Sequence, residues 1–207
     1  MESRATAKQR RLWDRAAGDY DRSMVWFEHN LLKDGRDWIG ARTRGRVLLV
    51  AVGTGRDLPF LHEDVSAVTG IDLSSSMLGQ ARRRASDLGR DADLREGDAE
   101  HLPFDDATFD TVTCVLSLCN IPRPEAALAE ARRVLRPGGR LLLLDHIGST
   151  WPPIRLVQWF VEAFTVPSAG EHFTRRQLRR VHDLGFEVVE RDRYGFGMVE
   201  RVHAVKR

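Results

Sequence analysis

Cysteine is scarce in this chain. Only Cys114 and Cys119 occur in 207 residues, too few and too close for a disulfide framework, and no metal-ligand spacing accompanies them. No apolar run reaches the roughly 20 residues that span a bilayer as a helix. The start, Met1-Glu2-Ser3-Arg4, has no signal-peptide core. These absences together point to a reducing cytoplasm. Net charge is also small: 32 basic against 30 acidic residues leave +2, which gives no basis for nucleic-acid binding. The Arg82-Arg83-Arg84 run reads as a solvated helix face, and no RNA-module signature is present. Repeats and low-complexity segments are absent. What remains is 42% hydrophobic and 30% charged, the balance of one globular domain.

The informative run is Val47-Leu48-Leu49-Val50-Ala51-Val52-Gly53-Thr54-Gly55. Continuous apolar residues ending in Gly-Thr-Gly describe a buried parallel strand that feeds a tight turn. Glycines there let a ligand approach the main chain. A second apolar run ends in Asp72, whose carboxylate at a neighbouring strand tip can accept from both hydroxyls of a ribose. A dinucleotide fold asks for a third glycine, but Leu58 stands there, and no Gly-Lys-Ser/Thr marks a triphosphate loop. A nucleoside without phosphates fits better, with S-adenosylmethionine the foremost candidate.

The periodicity predicts strands near 46–52, 67–72, 92–97, 109–116 and 140–146. Helices are predicted near 56–62, 75–88, 123–135 and 174–184, the last capped at Thr174. Residues 5–41 read as helical. Strand–helix alternation implies an α/β fold with a parallel sheet. Pro137-Gly138-Gly139 reads as a helix stop and turn, and the runs at 186–192 and 197–205 as a hairpin.

Four segments resemble the class I S-adenosylmethionine-dependent methyltransferases, in that family's order. They are Val47 to Pro59; Gly70-Ile71-Asp72-Leu73-Ser74 with Met77-Leu78; Gly97-Asp98-Ala99-Glu100-His101-Leu102-Pro103-Phe104; and Phe109 through Arg136-Pro137-Gly138-Gly139-Arg140. Within the family they look most like the small-molecule and lipid group of ubiquinone/menaquinone, phospholipid and thiol methyltransferases. The resemblance implies a Rossmann-like, doubly wound, seven-stranded sheet, mostly parallel with a C-terminal antiparallel hairpin. It divides the chain into an N-terminal helical lid at 1–45 and a cofactor-binding domain at 46–207 with a helical insertion at about 151–170. It also implies cofactor contacts from Gly53, Thr54, Gly55, Asp72, Leu73, Met77, Asp98, Ala99, Leu116, Ser117 and Tyr20. Two positions depart from the pattern: an acid usual in the family is replaced by Leu49, and a common glycine by Ala51.

A sulfonium methyl is already activated, so much of the catalysis can be proximity and orientation. His146, at the end of the fifth predicted strand, is the candidate general base. Cys119, Asn120, Trp159 and His172 are candidate acceptor contacts, and no metal is expected. The insertion Trp151–Phe164 is apolar nearly all round, so it is buried or contacts something apolar, and is expected to be a lid over a small, partly apolar or lipid-like acceptor. Sparse flanking Lys/Arg disfavours a membrane-surface role. The sequence leaves the oligomeric state open, and does not choose among oxygen, nitrogen and sulfur acceptors. A non-catalytic cofactor-binding protein and a nicotinamide oxidoreductase remain as rival classes.

Overall fold

The computed structural model describes residues 3–207, with Ser168 and Ala169 described by backbone alone. Met1 and Glu2, the start of the expected 1–45 segment, lie outside the described residues.

Helix α1 (Arg4–Phe27) is capped by the Ser3 side chain, which accepts from Thr6 N–H. It runs on through a π-helical turn at Glu28–Leu32, stops at Lys33 (φ 50°), and is followed by short α2 (Gly35–Gly40). The helical reading of 5–41 thus becomes two helices separated by a break. Strand β1 (Gly45–Val50) comes next, then β2 (Val65–Asp72), α3 (Ser75–Asp87), β3 (Asp93–Glu96), β4 (Phe109–Val115), α4 (Pro124–Val134) and β5 (Leu135–His146). Helices α5 (Pro152–Ala169) and α6 (Leu178–Asp183) precede the hairpin of β6 (Phe186–Tyr194) and β7 (Val199–Lys206).

The seven strands form one sheet in the order β3-β2-β1-β4-β5-β7-β6. The first five are parallel, and β7 runs antiparallel to both β5 and β6. Val47 to Val50 are all buried, which accounts for an uninterrupted apolar run rather than an alternating one. Alternation decides which layer each residue feeds. Val47 and Leu49 pack with Leu58, Leu78 and Ala81 beneath α3, whereas Leu48 and Val50 join Val112, Leu128 and Leu141 beneath α4. Leu32, Trp38 and Ile39 cover Leu142 and Leu144. Among the described residues, no helix is long and apolar enough to cross a membrane.

Three local expectations are corrected. The helix at 56–62 is only a 3-10 turn at Leu58–Phe60, because Pro59 supplies no N–H and Leu61 returns to extended backbone. The helix at 174–184 starts at Leu178, because the Thr174 hydroxyl donates to Glu162 instead of capping it. Residues 136–139 do not simply stop a helix: β5 starts at Leu135, and the segment bulges opposite Asp110, with Gly138 at φ +76°.

Candidate cofactor and acceptor site

A cavity of about 860 Å³, counting its open mouth, lies at the carboxyl ends of β1, β2 and β4. That is where doubly wound sheets bind ligands. Its floor is the turn after β1. Gly53 (φ +55°) and Gly55 (φ +78°) hold left-handed conformations, and a Cβ on Gly53 would meet nothing within 4 Å. The turn is therefore open toward the cavity at Gly53. At Gly55 a Cβ would crowd Leu58 and Ala81.

Asp72, at the tip of β2, is buried. One carboxylate oxygen accepts from Gly53 N–H and the other from Ser74 N–H, each at 2.8 Å. Burial raises its pKa, against the lowering pull of these backbone donors. The helix cap that Asp72 could have supplied comes instead from Ser74, which accepts from Met77 N–H. Thr54 is fastened from behind: its hydroxyl donates to Asp21 at 2.6 Å, and Arg84 bonds both Asp21 and the Thr54 carbonyl.

Leu73, Met77, Asp98, Ala99, Leu116 and Ser117 all line the cavity, as do Tyr20 and Asn120. Asp98 uses one oxygen to accept from Glu100 N–H. The Ser117 hydroxyl and the Asn120 side-chain oxygen are buried without a protein partner. Such groups are costly unless a ligand satisfies them. Together with the open glycine turn and Asp72, they suit the hydroxyl-, amine- and carboxylate-bearing surface of S-adenosylmethionine.

Several lining residues escaped the sequence reading. Trp13 contacts the Tyr20 ring edge-on at 5.9 Å and lines the cavity with it. Arg36, Arg56 and Asp57 line the end near the turn. Arg36 is buried and donates to Glu28 and Asp57, and Arg56 reaches the same Glu28. Burial opposes the ionisation of Glu28, but the two guanidiniums outweigh it and lower its pKa. Leu49, where an acid was expected, lies within the apolar layer and is fully buried. The polar groups at this end of the cavity come instead from α2 and the turn.

Gly55, His146, Cys119, Trp159 and His172 are not among the residues that line this cavity. His146 is buried at the end of β5, on the sheet face shared with Leu142 and Leu144. Its ring stacks on Phe173 at 4.8 Å, and its Nε2 lies 3.4 Å from Glu171. Burial would lower its pKa, but the contact with Glu171 prevails and raises it. Cys119 is enclosed, and burial pushes its thiol up, so it is a poor nucleophile. Its backbone N–H donates to Asp145 and its carbonyl accepts from His172 N–H. The His172 ring is bonded to Glu162 at 3.0 Å. Trp159 is 67% exposed, on the far side of α5.

Ala51 carries a testable strain. It adopts φ +52°, a left-handed conformation that costs an L-residue energy. Ala51→Gly should stabilise the protein by about 0.5–1 kcal/mol, the relief of strain less the extra chain entropy of glycine. A urea melt with a raised midpoint and unchanged slope would show it; a lowered midpoint would contradict the strain.

A family model described as a methyltransferase domain matches residues 48–143. A phosphatidylethanolamine N-methyltransferase of Cereibacter sphaeroides is 38% identical over 148 residues, covering 70% of this chain and 72% of that protein. A ubiquinone/menaquinone biosynthesis C-methyltransferase of Paracoccus denitrificans is 40% identical over 144 residues, covering 65% of this chain but only 56% of that relative. The fold also matches a geranyl diphosphate C-methyltransferase of Streptomyces coelicolor, solved with S-adenosyl-L-homocysteine. There the TM-score is 0.75 and identity 15%, over 99% of this chain and 98% of that one.

Proposed function

This chain belongs to the class I S-adenosylmethionine-dependent methyltransferases, and from that premise we propose that it methylates a small, lipid-like acceptor held at the Tyr20–Asn120 end of the cavity. The observation that carries this reading is the cavity itself. Its lining joins the glycine turn and Asp72 to aromatic and aliphatic walls from Trp13, Tyr20, Leu116 and Ile121. The curated relatives point the same way, since one is named for a phospholipid amine and the other for quinones. Cytoplasmic work fits the two buried free thiols.

In this reading Gly53, Thr54 and Gly55 offer backbone to the amino-acid end of the cofactor, and Asp72 accepts from the ribose. Leu73, Met77, Asp98 and Ala99 frame the adenine. Bound S-adenosylmethionine supplies an activated methyl group. Ser117 and Asn120 satisfy their open hydrogen bonds on cofactor and acceptor, and orient them. Trp13 and Tyr20 exclude water from the apolar end.

His146 receives a narrower role than that of a base. With Glu171 on its ring nitrogen and Phe173 over its face, it positions the 170–174 loop against the end of β4. His146→Ala should lower the methylation rate several-fold while S-adenosylmethionine affinity is retained. The pH–rate profile of the variant should parallel that of the wild type. An ascending limb above the ordinary histidine value of 6.5, present in the wild type and lost in the variant, would instead restore His146 as a base.

The decisive experiment for the acceptor is methyl transfer from labelled S-adenosylmethionine to detergent-dispersed phosphatidylethanolamine and demethylated quinones. Labelled product supports the reading. Labelling confined to water-soluble acceptors in a broad panel would sink it.

A further inference from the structure

Helix α5 is built inside out. Its polar side chains face the protein and fasten the helix. Gln158 accepts from Ser149 N–H and donates to the Ile147 carbonyl. Glu162 takes His172 and Thr174, and Thr165 donates to the Glu171 carbonyl. Its apolar side chains point outward: Leu156, Val157, Trp159, Phe160 and Phe164 are between 62% and 67% exposed. At 3.6 residues per turn the exposed residues sweep roughly two-thirds of the helix circumference. Trp151, edge-on to Phe196 at 5.5 Å, continues the patch to the β6–β7 turn. The outward arc carries one charge, Arg155, and no carboxylate.

We propose that α5 is a membrane-docking helix, lying in the headgroup region of a lipid bilayer. Three observations favour a bilayer over a protein partner. The apolar surface is a convex ridge, which a bilayer takes as it stands, whereas a protein would have to wrap it. Trp and Phe dominate it, and indole rings are at home at the membrane interface. Its charge is a lone cation at the N-terminal end, and the Lys8 ammonium sits on the Pro167 carbonyl at the other end. Both suit phosphate headgroups. The helix is too weakly apolar to span, so it lies in the plane.

The helix also ends at the site. Gly170, which terminates it, packs against Gln9, and Gln9 lines the cavity and donates to the Asn120 carbonyl. Docking would thus bring the cavity mouth to the membrane surface. Direct uptake of the acceptor from the bilayer rests on the function proposed above, whereas the docking does not.

The test is co-sedimentation of the full chain, with S-adenosylmethionine, on vesicles of phosphatidylcholine alone and of phosphatidylcholine with phosphatidylglycerol. The wild type should sediment with both, more strongly with the anionic vesicles. Arg155→Gln should reduce that preference, and Arg155→Gln with Lys8→Gln should erase it. The triple variant Trp159→Gln, Phe160→Gln, Phe164→Gln should bind about a hundredfold more weakly, from the apolar area withdrawn. Its S-adenosylmethionine affinity should be unchanged, which controls for folding. A wild type that stays in the supernatant with both vesicle types would overturn the proposal. So would vesicle-independent dimerisation abolished by the triple variant, because the face would then serve a second copy. Vesicle binding without methylation of any dispersed lipid or quinone would leave docking standing and remove only the acceptor reading.

Discussion

Arg36→Met should cost about 3–5 kcal/mol of folding stability, the range for removing one partner of a buried ion pair. Arg36 is buried between Glu28 and Asp57, and among the described residues it is the cation paired with Asp57. The exposed pair Arg22–Asp19 is the contrast, because breaking it should cost at most about 1 kcal/mol. The two variants compared by chemical denaturation therefore separate burial from charge counting. The pH dependence has a defined sign. Glu28 has a folded pKa below its ordinary 4.5, so its contribution is present above 4.5 and is lost as pH falls through the folded value. In Arg36→Met that acid loss should shrink, since only Arg56 still holds Glu28. A variant as stable as the wild type would show the network to be decorative.

Asp72→Ala should weaken S-adenosylmethionine binding by about 1.5–3 kcal/mol, the size of a hydrogen bond to a charged group, which is ten- to a hundredfold or more in Kd. The chain should still fold. Losing the acceptor for Gly53 and Ser74 N–H is opposed by removing a carboxylate whose burial raises its pKa. Asp72→Asn, which keeps an acceptor but no charge, should fall between. Normal affinity in the alanine variant would reassign Asp72 to holding the turn alone.

The parallel sheet and its antiparallel end were legible because each rests on local pattern, whereas the strand order was not. The run Val47–Val50 is buried on both faces, and the short gap before the last strand forbids a crossover. The glycine turn and Asp72 were legible for the same reason: both sit at strand ends, and Asp72 bonds Gly53 directly. What sequence could not give is what α1 and α2 bring back across the turn. Asp21 meets Thr54, Asp14 meets Ser74, and Arg36 meets Asp57, all pairings far apart in the chain. The surroundings of His146 were not legible either: strand alternation turns it to the Leu144 face, where Phe27 and Phe173 pack against its ring. In α5 the helix was legible, but its apolar residues are exposed rather than buried. Gln158, Glu162 and Thr165 fall on one side at helical spacing, and that side is the inner one.

The nicotinamide alternative is displaced by the family match, and the cofactor cavity can be tested directly. Calorimetry of EDTA-treated protein with S-adenosylmethionine and, in parallel, NADH is the measurement that does so. The account predicts one-to-one binding of S-adenosylmethionine without metal, weakened by Asp72→Ala, and no heat from NADH. Binding of NADH with no S-adenosylmethionine signal, or S-adenosylmethionine binding indifferent to Asp72, would contradict it.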